Sequence, residues 1–131
     1  MQKPRVLVAD DHRLVLERVL SLLQSDFEVV GTASNGNELI LEAERLQPDL
    51  IVLDITMPEL NGIEAARKLN ALGCMAKLVF LTVHQDSEFV QACMAEGALG
   101  YVTKARMTMD LISAINQAIC GNFFVSPLGT H

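Results

Sequence analysis

Four short apolar runs each end on a residue type that phosphoryl chemistry uses. Arg5-Val6-Leu7-Val8-Ala9 leads into Asp10-Asp11, and Leu50-Ile51-Val52-Leu53 into Asp54. Leu78-Val79-Phe80-Leu81 leads into Thr82, and Gly100-Tyr101-Val102-Thr103 into Lys104. An aspartate can accept a phosphoryl group as an acyl phosphate. Most of the remaining work in such a transfer is in-line positioning and neutralisation of oxygen charge. Asp54 is the candidate acceptor, because a rigid apolar run precedes it and the loop Ile55-Thr56-Met57-Pro58 follows. Lys104 would act as a point-charge donor to phosphate oxygens, and Thr82 would donate its hydroxyl to another.

Three carboxylates in one place need an explanation. Two of them ~4 Å apart repel by about 1 kcal/mol in water and about 4 kcal/mol at an intermediate dielectric. A trio is stable only with a cation, with raised pKa values or with heavy solvation. Mg²⁺ is the natural cation, or Mn²⁺ in its place, since it takes oxygen ligands and shares phosphate oxygens with its substrate. Singly, each residue has a plainer reading. One aspartate of an Asp-Asp pair after a strand commonly caps the next helix, a threonine often ends a strand, and a lysine after one is usually solvated. Their matching positions carry the inference.

The residues meet only if the runs are parallel strands with their carboxyl ends on one edge. Strand-like and helix-like segments alternate five times: strands at 5–9, 27–33, 49–54, 77–82 and 99–103, helices at 13–24, 37–46, 63–72, 86–96 and 108–120. The 37–46 helix must stop before Pro48, Asn61 is placed to cap the 63–72 helix, and Gly73, Gly97 and Gly121 sit where helices close. Such alternation predicts an α/β doubly wound parallel sheet with right-handed crossovers. Ligands of such sheets bind outside the carboxyl ends of the strands.

At 131 residues the chain has the size of one domain. Its net charge of −6 argues against direct binding to nucleic acid. Residues 1–65 hold twelve acids against five bases, so the excess lies in the half that carries the candidate metal site. Cys74, Cys93 and Cys120 are scattered without CxxC spacing, which reads as reduced thiols in a cytoplasmic protein. No apolar stretch approaches a membrane span, and the first strand begins too early for a signal peptide.

These residues together resemble the receiver domain of bacterial two-component response regulators. The resemblance covers Arg5 to Ala118 and rests on Val8-Ala9-Asp10-Asp11-His12, Leu53-Asp54-Ile55-Thr56-Met57-Pro58 with Asn61-Gly62, Leu81-Thr82, and Gly97-Ala98 before Gly100-Tyr101-Val102-Thr103-Lys104. It implies a flavodoxin-like (βα)5 fold of strand order 2-1-3-4-5. It also implies phosphorylation of Asp54 by a histidine kinase, with an output switched in response. Asp11, Asp54 and the main-chain carbonyl of Thr56 would bind Mg²⁺, with Asp10 reaching it through water. Lys104 and Thr82 would contact the phosphoryl group, and Tyr101 would be an aromatic switch that turns inward as Thr82 moves. From periodicity alone, Tyr101 reads as a half-buried strand aromatic.

Asp-Asp-His after the first strand, and Gly-Tyr-x-x-Lys followed by Ala105, are similar to the NarL/FixJ/LuxR group, whose members carry a DNA-binding helix-turn-helix. On that reading residues 1–122 are the receiver and 123–131 a C-terminal tail, frayed at Gly129-Thr130-His131, or the start of a linker to an output domain absent from this sequence. DNA would be bound only through that domain. The same group implies a phosphorylation-dependent homodimer through the first and last helices. Val15, Val19 and Leu22 mark a core face of the first helix, with Leu16 and Leu20 beside it as an exposed seam. Leu111, Ile112, Ile115 and Ile119 form a broad arc on the last, and both arcs could equally be core. One departure is Val83, where the family usually has a smaller residue; it would slow attack by water on an acyl phosphate. His84 beside it would face the pocket or be a solvated loop residue. Two other functions fit parts of the pattern. A pseudo-receiver would act only as an interaction module, though it would typically have lost part of this pocket. A Mg²⁺-dependent phosphoaspartyl hydrolase would want its nucleophile on the first strand with a second aspartate two residues on, which Asp10-Asp11 does not supply.

Overall fold

In the computed structural model, residues 2–129 are described. In chain order the elements are β1 (Arg5–Ala9), α1 (Arg13–Leu23), β2 (Glu28–Ala33), α2 (Gly36–Leu46), β3 (Leu50–Leu53), α3 (Gly62–Ala71), β4 (Lys77–Thr82) and α4 (Ser87–Ala95). β5 (Gly100–Thr103), a 3₁₀ turn (Lys104–Arg106), α5 (Met107–Ile119) and β6 (Phe124–Val125) complete the chain. All strands pair in parallel, in the order β2-β1-β3-β4-β5-β6. The expected strand order 2-1-3-4-5 is therefore present, extended by one edge strand that the five-strand reading of the sequence lacked. Thr130 and His131 of the expected frayed tail lie outside the described residues.

The continuous apolar runs reflect burial on both faces of the central strands. Alternate residues serve opposite layers. Leu7, Ile51, Leu53, Phe80 and Tyr101 pack with Leu39 of α2, Ala65, Ala66 and Leu69 of α3, and Cys93 of α4. Val6, Val8, Val52, Leu81 and Val102 pack with Val19 and Leu23 of α1 and with Leu111 and Ile115 of α5. The arcs on α1 and α5 are therefore mainly core. Leu16, expected in an exposed seam, packs against the second layer, and Leu20 is half-buried. The exposed apolar residue of α1 is instead Leu14, at 77%.

Local signals set the helix boundaries. Asn61 forms a capping box: its side chain accepts from the Glu64 amide, and the Glu64 side chain accepts from the Asn61 amide. Gly73, Gly97 and Gly121 have φ of 78°, 87° and 82°, the left-handed conformation that closes a helix. α2 ends on Gln47 (φ 49°) directly before Pro48.

Candidate functional site

Strand register sets the site. Ala9 lies level with Leu53, so Asp10 and Asp54 leave adjacent central strands together. The Asp54 amide donates to the Ala9 carbonyl at 3.1 Å, and the Asp10 amide to the Ala33 carbonyl at 3.0 Å. Thr82 and Thr103 are partners on β4 and β5, which brings Lys104 to the same edge. Gly62 closes the far side of the acceptor loop. Its amide donates to the Ile55 carbonyl at 2.7 Å, and a Cβ there would collide with the Asp54 carbonyl oxygen. Only glycine lets α3 start this close to the acceptor.

Lys104 is the hub. Its ammonium lies 2.8 Å from Asp54 Oδ2 and 3.0 Å from Asp10 Oδ2. Burial alone would push Lys104 down; the bonds to Asp54 and Asp10 outweigh it and hold the group above the ordinary lysine value. Asp54 Oδ1 accepts from the Ile55 amide at 2.7 Å, which fixes the carboxylate plane. Asp10 Oδ1 accepts from the His12 amide at 2.8 Å. The His12 ring places Nδ1 3.2 Å from both Asp10 and Asp11. The sequence reading gave His12 no role of its own. Its adjacency to the acidic pair was the available signal.

The residues fit a divalent cation. One donor atom from each of Asp10, Asp11, His12 and Asp54 lies within 4.8 Å of the others. Asp10 Oδ2 is the single buried side-chain polar atom among the described residues without a hydrogen bond in good geometry, despite the nearby ammonium. Three carboxylates set against one ammonium leave a charge of about −2, which a hard divalent cation with oxygen ligands would balance.

Thr82 reaches the strand edge fully buried, but its hydroxyl accepts from the His84 amide at 3.3 Å rather than meeting Asp54. Tyr101 is also fully buried, not half-buried as periodicity alone would have it, and donates its hydroxyl to the His84 carbonyl at 2.9 Å. Burial, with nearby Cys93, Asp86 and Asp54, pushes its phenol well above the usual range. His84 is not a solvated loop residue. Its ring stacks on Phe89 with centroids 4.1 Å apart, and Nε2 lies 3.0 Å from Thr56 Oγ1. Thr56 thus takes part through its hydroxyl, a contact the sequence reading missed in naming only its carbonyl. Val83, directly after Thr82, is 63% exposed.

The sequence profile of the response regulator receiver domain matches residues 6–116, most of the chain. The chain belongs to the response regulator receiver domain family. Among curated proteins, the receiver is 36% identical over 125 residues to the response regulator GacA of Pseudomonas viridiflava, covering 94% of this chain and 58% of that protein. It is 38% identical over 123 residues to the nitrate/nitrite response regulator protein NarL of Escherichia coli (strain K12), covering 92% and 57%. A crystal structure of a LuxR-family two-component response regulator from Aurantimonas sp. SI85-9A1 superposes with a TM-score of 0.91 at 32% identity, covering 96% and 91%. The NarL/FixJ/LuxR grouping expected from the sequence is thereby supported. The receiver spans somewhat over half the length of the curated relatives it matches. Among the described residues, no helix is long and apolar enough to cross a membrane.

Proposed function

We propose that Asp54 is the phosphoacceptor of this receiver and that a histidine kinase is its donor. The observation that carries the reading is the Lys104 ammonium held at 2.8 Å from Asp54 on the edge that also presents Asp10 and Asp11. A carboxylate oxygen of Asp54 attacks phosphorus and forms an acyl phosphate, while the bond from phosphorus to the donor imidazole breaks. Lys104 keeps its charge through the reaction and receives the oxygen charge that builds up on the phosphoryl group. The Ile55 amide holds Asp54 in one orientation. Thr82 leaves the His84 amide to donate its hydroxyl to a phosphoryl oxygen.

Asp10, Asp11, Asp54 and the Thr56 carbonyl would hold Mg²⁺. When bound, the ion supplies further counter-charge to the phosphoryl oxygens. The receiver is a regulatory phosphoacceptor rather than an enzyme acting on a separate substrate. The receiver body expected at 1–122 also carries the segment 124–129 against its sheet edge, and a linker to an output would follow that segment. DNA binding through a helix-turn-helix domain outside these residues is the output we propose, in keeping with the NarL relative. The receiver's own charge of −6 argues against direct binding to nucleic acid. A cytoplasmic location fits a kinase donor and the unpaired Cys74, Cys93 and Cys120.

Intact mass after incubation with Mg²⁺ and acetyl phosphate tests the acceptor. The parent should gain one phosphoryl group and Asp54→Ala none. No adduct on the parent from acetyl phosphate or from a cognate kinase would favour a pseudo-receiver.

A further inference from the structure

The segment after α5 wraps the edge of the sheet, which acceptor chemistry does not require. Within β6, Phe124 and Val125 lie level with Gly100 and Tyr101. The Phe124 amide donates to the Leu99 carbonyl at 2.9 Å and the Ser126 amide to the Tyr101 carbonyl at 2.8 Å. Phe124 packs on the layer that holds α1 and α5. Leu128 packs on the opposite layer, against the cluster that contains Tyr101 and takes Phe89, Val90 and Met94 of α4. Gly129 then lies against the Gln85 side chain. Within a few residues the chain therefore passes around β5 from one layer to the other.

A buried polar pin holds this passage. Ser126 is 1% exposed. Its hydroxyl donates to Asp110 Oδ2 at 2.7 Å and accepts from the Thr103 amide at 3.3 Å. Arg106 Nε donates to the same Asp110 oxygen at 2.7 Å. Buried hydroxyl and carboxylate groups are costly to strand without partners, so the pin favours one placement of the segment.

The wrap meets the neighbourhood of Tyr101 and Thr82 at two points. Thr103 precedes Lys104, and Tyr101 supplies the carbonyl that receives the Ser126 amide. Gln85 follows His84, which is bonded to Tyr101, Thr82 and Thr56. We propose that residues 124–129 form a strap that occupies the α4–β5 edge and is positively coupled to a phosphoryl group on Asp54. The seated strap stabilises the arrangement in which Tyr101 is buried and the Thr82–His84 loop is tied to Thr56. A phosphoryl group that draws the Thr82 hydroxyl off the His84 amide leaves the Tyr101–His84 and His84–Thr56 bonds in place and favours the same burial of Tyr101. Any partner docking at this edge must displace the receiver's own strap. The inference rests on Asp54 being the acceptor.

Coupling between two sites is reciprocal, so each must shift the other by one factor. The test titrates beryllofluoride with Mg²⁺ into the parent, Leu128→Asp and Ser126→Ala. It also follows amide exchange at Phe124 and Ser126 in the parent with and without the ligand. Leu128 is half-buried, and retained amide protection across β3 checks that each variant is folded. If either variant fails to fold, the exchange arm on the parent carries the test. Releasing the strap should weaken beryllofluoride binding about fivefold or more, and the ligand should slow both amides by a similar factor. Unchanged or tighter binding by the variants, or amides indifferent to the ligand, would overturn the strap while leaving Asp54 as acceptor. A parent that binds no beryllofluoride would contradict the acceptor reading itself, and the coupling would fall with it.

Discussion

Lys104 holds two carboxylates at once, and that sharing explains how the acidic edge exists without collapse. Asp10 and Asp54 are buried beside the ammonium, while Asp11 stands outside the bridge with its side chain 30% exposed. Asp11 therefore adds repulsion that Lys104 does not directly relieve. Replacing Asp11 by asparagine should raise the unfolding free energy in chelator by about 1 kcal/mol. The same change should shrink the stabilisation that Mg²⁺ brings, because ligand binding to the native state raises stability only while the site is intact. Thermal melts of parent and Asp11→Asn, with chelator and with Mg²⁺, check both. Val83 makes a second case. It follows Thr82 directly and carries a branched, exposed side chain, so Val83→Ala should speed loss of the acyl phosphate in a phosphate-release time course. Equal rates would remove Val83 from the account. Cys93 lies at the other extreme: burial pushes its thiol up to about 12, leaving it an inert core residue.

Elements carry the next set of consequences, and here the sequence and the fold part company in an instructive way. The strand ends were legible because each central strand is an unbroken apolar run that stops on a polar residue, and parallel pairing aligns those stops. Asn61 was legible because a cap works through its own backbone. β6 was not, since Phe124-Val125 is too short to show alternation and Pro127 follows closely. The Ser126–Asp110–Arg106 link was equally hidden, as it joins a strand to a helix through residues with no common local pattern. His84 reaches Thr56 across two loops, which spacing does not reveal. The hidden link has a pH signature. Asp110 is held below the ordinary carboxylate range by its bond to Arg106, against the opposing effect of burial and with help from Ser126. Its folded pKa is depressed, so its stabilisation is complete above the unfolded value of about 3.9 and is lost as pH falls through the folded one. In Asp110→Asn, stability should fall less steeply below about pH 4, which urea melts across that range will show.

At the scale of the whole molecule, the layer of α1 and α5 carries exposed apolar residues. α1 and α5 meet beside the acceptor edge, joined by the Arg18 guanidinium donating to Thr108 Oγ1 at 3.1 Å. Leu14 and Met109 stand exposed on these helices at 77% and 64%. Both lie in the first turn of their helices. A phosphorylation-dependent homodimer through α1 and α5 would bury that apolar surface, which is worth about 25 cal/mol per Å² removed from water. Hydrodynamic mass with and without beryllofluoride should show a monomer converting to a dimer, and Leu14→Asp should remain monomeric. A monomer in both states would sink the dimer. The dimer, the strap coupling and the Val83 effect all depend on the chemistry of one carboxylate. The most direct measurement is therefore the intact mass of parent and Asp54→Ala after incubation with acetyl phosphate, in Mg²⁺ and in chelator. The account predicts a single phosphoryl increment on the parent in Mg²⁺ alone. An increment of equal size on Asp54→Ala, or on the parent in chelator, would contradict it.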